Sequence, residues 1–213
     1  MNTFLPILTS AAGATLTGAQ WADVGIKAGV FQLSLLLMKP GYEYLSRLPS
    51  LATHVGWVGD IYIEAQLPYK NKQFMVCSQY DGRKQYYSIE TIVRLLIQLH
   101  PKGVIVPQGI EEEVYQILWD GLKDTLLLSR SDHWTVSDKP AEEAMQGLVY
   151  NTEGAFSITD PGMRLQFESL DTGCQCPTCK SGFTRAYLHH LFLHTPLLCQ
   201  RLLVQHNISF TSA

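Results

Sequence analysis

The run Cys174-Gln-Cys176-Pro-Thr-Cys179, with His206 further down the chain, restricts this sequence more than any other stretch. Thiols spaced C-x-C and C-x2-C can reach one tetrahedral centre, and Zn²⁺ takes four ligands of this kind. The chain between the thiols and the histidine must then fold back on itself. His206 is expected as the fourth ligand; His189, His190 and His194 also lie downstream and stand as alternatives. The bland reading is three unrelated thiols in a loop, which the two tight spacings disfavour.

The rest of the composition is that of an ordinary globular chain. Of 213 residues, 46% are hydrophobic and 16% charged, enough apolar mass for one sizeable core with a small appendix. The expected division is residues 1–165 and a zinc-binding part, 166–213. Net charge is −3, so no global basic field points to nucleic acid, and any RNA contact would be local. The cysteines number five, with Cys77 and Cys199 isolated, a usage that fits a reducing compartment better than a disulfide framework. The opening MNTFLPILTSAAG lacks a basic n-region and is broken by Pro6, so no signal peptide is expected. The longest apolar run elsewhere, 33–38, is too short to span a bilayer. A soluble, cytoplasmic protein without membrane association is the expectation.

Residues 3–9 and 29–33 read as strands, and Thr17 as the cap of a helix over 18–27. Residues 42–52 have helical spacing and 60–64 alternate like a strand. Residues 73–78 and 84–87 pair plausibly across Tyr80-Asp81-Gly82-Arg83, since Asp-Gly is a hairpin signal. Ser88 caps a strong helix with apolar Ile92, Leu95, Leu96 and Leu99, closed by Lys102-Gly103. A strand at 104–107, a helix at 111–120 and a strand at 125–129 follow. This strand–helix–strand rhythm predicts an α/β fold with parallel pairing. Residues 131–139 read as a polar loop and 141–146 as a short helix. Residues 148–152 and 155–159 form a hairpin around Glu153-Gly154. After the thiols come helices over 184–194 and, from Thr195-Pro196 with proline at its first position, to His206.

Several of these segments together resemble a known family. Leu170-Asp171, the three cysteines, Thr184-Arg185-Ala186-Tyr187-Leu188-His189-His190-Leu191-Phe192 and Leu202-Leu203-x2-His206-Asn207-Ile208-x-Phe210 are similar to the zinc end of the tRNA-guanine transglycosylases. Upstream, Gly147-Leu148-Val149-Tyr150-Asn151-Thr152-Glu153-Gly154 resembles the hairpin before that site. Phe4-Leu5-Pro6-Ile7, Leu16-Thr17, Lys39-Pro40-Gly41, Asp81-Gly82-x-Lys84, Glu90 and Ile97-Gln98 resemble, more thinly, the family's front half. The resemblance implies a shortened or partial (β/α) TIM-like barrel with a structural zinc held by Cys174, Cys176, Cys179 and His206. It also implies descent from pentosyltransferases that exchange guanine in tRNA for a 7-deazaguanine, the queuosine and archaeosine chemistry.

Such exchange needs a nucleophilic carboxylate for the anomeric carbon and a second one to manage the base's proton. The counterpart of the family's base segment is 63–68, where Glu64 stands without the glycines that admit the base. Its bland reading is a solvent-facing carboxylate at a strand end. The nucleophile's place falls near Leu126, with Asp124 displaced by two, or at Val136, with Asp138 displaced by two. Asp124, Asp132 and Asp138 each read more easily as loop or cap residues. Middle strands look missing, leaving five or six core strands, too few for an eight-strand closure.

Lys180, Arg185 and Arg201 are candidates for a small basic face that would meet tRNA, against a solvated surface as the bland reading. His190 and His194, four apart, could bind a metal but lack a third ligand nearby in sequence. The leading expectation is a zinc protein that has lost the exchange activity and acts as a binding or partner subunit, in a homo- or hetero-oligomer with a family member. The rivals are an active transglycosylase with a rearranged site built on Glu64 and Asp124 or Asp138, and a zinc-stapled protein-interaction module.

Overall fold

A computed structural model describes residues 3–70, 73–78, 81–106, 110–129 and 134–212. In chain order the elements are β1 (Thr3–Pro6), α1 (Gly18–Asp23), β2 (Ala28–Gln32), α2 (Leu33–Leu36), α3 (Tyr42–Leu45), α4 (Leu51–Val55), β3 (Asp60–Glu64), β4 (Tyr69–Lys70), β5 (Gln73–Cys77), β6 (Lys84–Ser88) and α5 (Ile89–Leu99). They continue with β7 (Gly103–Val106), α6 (Glu112–Gly121), β8 (Leu126–Ser129), β9 (Trp134–Ser137), α7 (Lys139–Met145), β10 (Leu148–Asn151), β11 (Gly154–Ser157), α8 (Pro177–Lys180), α9 (Arg185–His194) and α10 (Pro196–Ser212). The chain forms two compact units, Met1–Thr9 with Ala28–Val136, and Ser10–Lys27 with Ser137–Ala213. No helix among the described residues is long and apolar enough to cross a membrane.

The first unit holds a parallel sheet in the order β2-β3-β7-β8. Its central strands carry short apolar runs, Ile61-Tyr62-Ile63 in β3 and Val104-Ile105-Val106 in β7, buried as parallel strands covered on both faces must be. β1 lies along β2 through the Ile7–Val30 bridge and pairs with β9. Leu5, Ile7, Val30, Tyr62 and Ile105 pack as one cluster, joined by Ala28, Leu128, Trp134 and Val136. Six strands thus feed one core. The mixed α/β class with a parallel sheet is what the structure has; among the described residues the parallel sheet has four strands rather than the eight of a full TIM barrel.

Ser88 caps α5 by accepting a hydrogen bond from Thr91 N at 3.2 Å, and Ile89, Ile92, Val93, Leu95, Leu96 and Leu99 are buried along one stripe. Each such side chain contributes roughly 1.5–3 kcal/mol before ordering entropy. The helix ends at His100, in the left-handed conformation at φ 51°, not at Lys102-Gly103. Gly103 instead opens β7, where a Cβ would stand 3.0 Å from the Tyr62 ring and from Leu126 O. The hairpin β5–β6 is as expected, with Cys77 opposite Lys84; Tyr80 of its turn lies outside the described residues.

Two expectations are corrected here. The helix over 42–52 is two short helices, α3 and α4: a proline at 49 disfavours helical backbone in the residue before it, and Ser50 starts anew, accepting from Thr53 N at 3.1 Å. The loop expected over 131–139 contains β9, whose partner β1 is far away in sequence. Residues 107–109, the end of the predicted strand and its turn, and Asp132 lie outside the described residues.

In the second unit, α1 carries a capping box: Thr17 Oγ1 accepts from Gln20 N and Thr17 N donates to Gln20 Oε1. Trp21, fully buried, donates from Nε1 to Gly13 O. α10 runs past His206 to Ser212 and packs on α7, where Ala141 and Ala144 are small enough for close approach. β10 and β11 form the predicted hairpin, Leu148 facing Ser157 and Asn151 facing Gly154.

Candidate metal centre

Local structure brings the thiols together before any ion is considered. Cys174 N donates to Asp171 O at 3.4 Å, closing a turn. Cys176 is the N-cap of α8, with Pro177 at the first helical position, and its Sγ accepts from Cys179 N at 3.3 Å. Cys176 N in turn donates to Cys174 Sγ at 3.5 Å. Thr178 Oγ1 donates to Leu202 O at 2.7 Å, tying α8 to α10 and setting the thiols beneath His206.

His206 Nδ1 lies 3.6, 3.5 and 3.4 Å from the sulfurs of Cys174, Cys176 and Cys179. Zinc bonds of about 2.3 Å to sulfur and 2.0–2.1 Å to nitrogen, at tetrahedral angles, would place those atoms about 3.5 Å apart. All four ligand atoms lie within 4.8 Å of one another. The four residues could therefore hold a metal ion. His206 Nε2 sits 2.6 Å from Tyr150 O and donates to it, which leaves Nδ1 as the acceptor nitrogen facing the sulfurs. The imidazole is fully buried.

Charge is arranged to match. The hydrogen bond from Cys179 holds the Cys176 thiol down at about 4 against its burial. The same contact with Cys176, and then burial, push Cys179 up, while burial raises Cys174. A negative sulfur is favoured at the centre of the group, and a divalent cation would allow the others to ionise too. Among the described residues no other group of three or more His, Cys, Asp and Glu is gathered this way.

The alternative histidines go elsewhere. His189 Nδ1 donates to Ile158 O at 2.7 Å from a buried position, and His190 and His194 are exposed. Cys199 donates to Leu188 O at 3.2 Å, and burial holds its thiol up at about 12. Two contributors escaped the sequence reading. One is the Tyr150 carbonyl, which no side-chain pattern can signal. The other is Asn207, whose amide bonds Tyr150 N, Pro140 O and Leu148 O. An asparagine directly after the ligand histidine was the available signal.

Of the three candidate carboxylates, Glu64 and Asp124 lie at opposite edges of the parallel sheet. Glu64 ends β3, opposite Gln32 and Ile105 at the C-terminal edge of the parallel sheet. It is 4% exposed, with Gln32 Nε2 donating to it at 3.3 Å, so the solvent-facing reading is corrected: pairing of β2 and β3 covers it. Asp124 precedes β8 at the opposite, N-terminal edge, lining a cavity of about 440 Å³ with His100, Asp120 and Lys123. Asp138 belongs to the second unit and starts α7 through its main chain, its carbonyl accepting from Ala141 N and Glu142 N at 2.9 Å.

The cations also differ from a shared basic face. Arg185, its side chain 18% exposed, donates to Ser169 O, Gln166 Oε1, Glu168 Oε1 and Leu170 O, and its guanidinium lies 4.6 Å from the Phe156 ring centre. It clamps the segment before the thiols. Arg201 Nη2 donates to Gln20 Oε1 at 2.9 Å. Lys180 alone of the three is exposed.

Comparison with known proteins places this geometry. The profile of a family described as Queuine tRNA-ribosyltransferase matches residues 136–213, the stretch that holds all four ligands. Curated proteins named queuine tRNA-ribosyltransferase are similar over 108 residues: those of Clostridium perfringens strain SM101 at 33% identity, Clostridium acetobutylicum at 39% and Clostridium botulinum strain Langeland at 31%. In each case the alignment covers 50% of this chain and 28% of the relative. The chain thus spans little more than a quarter of the length of the relatives it matches.

Proposed function

We propose, from a C-terminal part related to the queuine tRNA-ribosyltransferases, that the protein is a zinc-holding member of tRNA-guanine modification that serves as a non-catalytic binding or partner subunit. Zinc is the ion this donor set suits: three thiolates and one imidazole at tetrahedral separations. Four protein ligands leave no position for a water or substrate, so the ion's chemistry would be structural. It would pin α8 to α10 and hold the hairpin carbonyl of Tyr150 through His206.

The observation that carries the non-catalytic reading is the separation of Glu64 from Asp124. Glu64 and Asp124 sit at opposite edges of one parallel sheet. Covalent base exchange requires two carboxylates within reach of one nucleoside. An active transglycosylase built on Glu64 has one observation in its favour, the burial of that carboxylate at the C-terminal edge, where α/β sheets place their ligands.

Exchange of labelled guanine into bulk tRNA separates the two readings. The protein alone should incorporate nothing, and should bind tRNA or a full-length queuine tRNA-ribosyltransferase in a pull-down. Incorporation abolished by Glu64→Gln would establish the enzyme instead. Elemental analysis should find one zinc per chain in the wild type and none in Cys176→Ser.

A further inference from the structure

We propose that His190 and His194 form a second metal site, open to solvent and distinct from the Cys3His group, for a divalent transition ion such as Zn²⁺, Ni²⁺ or Cu²⁺. The proposal goes beyond the functional reading above and does not depend on it.

The two histidines lie one turn apart on α9, so their side chains share a face. Both are exposed, and their ring centres are 4.4 Å apart with the planes inclined at 42°. Two imidazoles bound to one ion through bonds of about 2.0–2.1 Å, at angles from right to tetrahedral, bring their ring centres to about 4.5–5 Å. The pair is therefore nearly at chelating separation without any helix distortion. This is also the i, i+4 spacing by which helical histidines take zinc in metalloprotease helices.

The surroundings suit a cation. No Lys or Arg occurs between Arg185 and Arg201. Arg185 is bound to the 166–170 segment and Arg201 to Gln20, so both guanidinium groups have carbonyl, amide or carboxylate partners of their own. His189, the neighbour in sequence, is turned inward onto Ile158 O and takes no part. With two protein ligands, the ion would keep further positions for water or an added donor, unlike the closed four-ligand group.

The test uses the full-length protein as purified, with its metal content counted first, titrated with Ni²⁺ by calorimetry. Wild type should take up a further ion, one per chain or one per two chains if copies share it. His190→Ala and His194→Ala should each weaken that uptake at least about tenfold, because a chelate becomes a single ligand. His54→Ala, an exposed histidine elsewhere, should leave uptake unchanged, and elemental analysis should show that all variants retain their initial metal. No uptake by wild type, or equal uptake by wild type and both pair variants, overturns the proposal.

Discussion

Both ends of the Asn207 amide are engaged with main chain. Oδ1 accepts from Tyr150 N at 3.0 Å, and Nδ2 donates to Pro140 O at 3.1 Å and Leu148 O at 2.9 Å. Asn207→Leu keeps the bulk but strands these buried groups, and each unsatisfied group costs about 1–3 kcal/mol, so a loss of about 2–4 kcal/mol is expected after relaxation. The urea midpoint of unfolding measures it, and an unchanged midpoint would refute the bonding scheme. Cys199 supplies a pH dependence. Burial lifts its thiol from an ordinary 9.0 to about 12. The raised value favours the protonated folded form, so this contribution is full below pH 9 and is lost as the pH climbs from about 9 towards 12. Urea midpoints between pH 8 and 11 should fall in wild type and fall less steeply in Cys199→Val. At this scale the four metal ligands were legible because their spacing is itself the constraint. The burial of Glu64 was not, because it depends on β2 and β3 pairing in register with Gln32 alongside.

Helix α5 shows what local signals can decide. Its cap and its apolar stripe follow from residues within a few turns of each other. Ser88→Ala removes the acceptor for Thr91 N and should cost about 1 kcal/mol, read as a shift in the thermal midpoint; Ser88→Asp should restore most of it. Helix spacing over 42–52 misled because period alone ignores Pro49, whose ring restrains Leu48 more strongly than the apolar pattern favours a turn. β9 escaped for the opposite reason. Trp134, Thr135 and Val136 favour a strand, but the run is only four residues set among polar ones, and the element exists because β1, far back in sequence, offers it an edge and the Leu5–Ile7–Val30 cluster accepts Trp134. Long-range partners of that kind leave no mark on a local window.

For the whole molecule, the metal group belongs to a unit that also includes residues 10–27 and the α7–β10–β11 segment. Metal binding in small domains is coupled to folding at about 10–16 kcal/mol. Chelation should therefore cost hydrogen-exchange protection across α7, β10 and α10, not merely around the thiols, while the β2-β3-β7-β8 sheet keeps its protection. Protection lost only at 174–180 would limit the ion to a local staple. The peptide units of residue 150 make this measurable in one place. Its carbonyl receives the imidazole proton of His206, and its amide is held by the neighbouring asparagine. Drawing electron density from the ring towards a cation strengthens the ring's grip on that oxygen. A lone ¹³C,¹⁵N-labelled tyrosine there would act as a gauge of loading, its resonance displaced in proportion to the fraction of molecules charged with zinc.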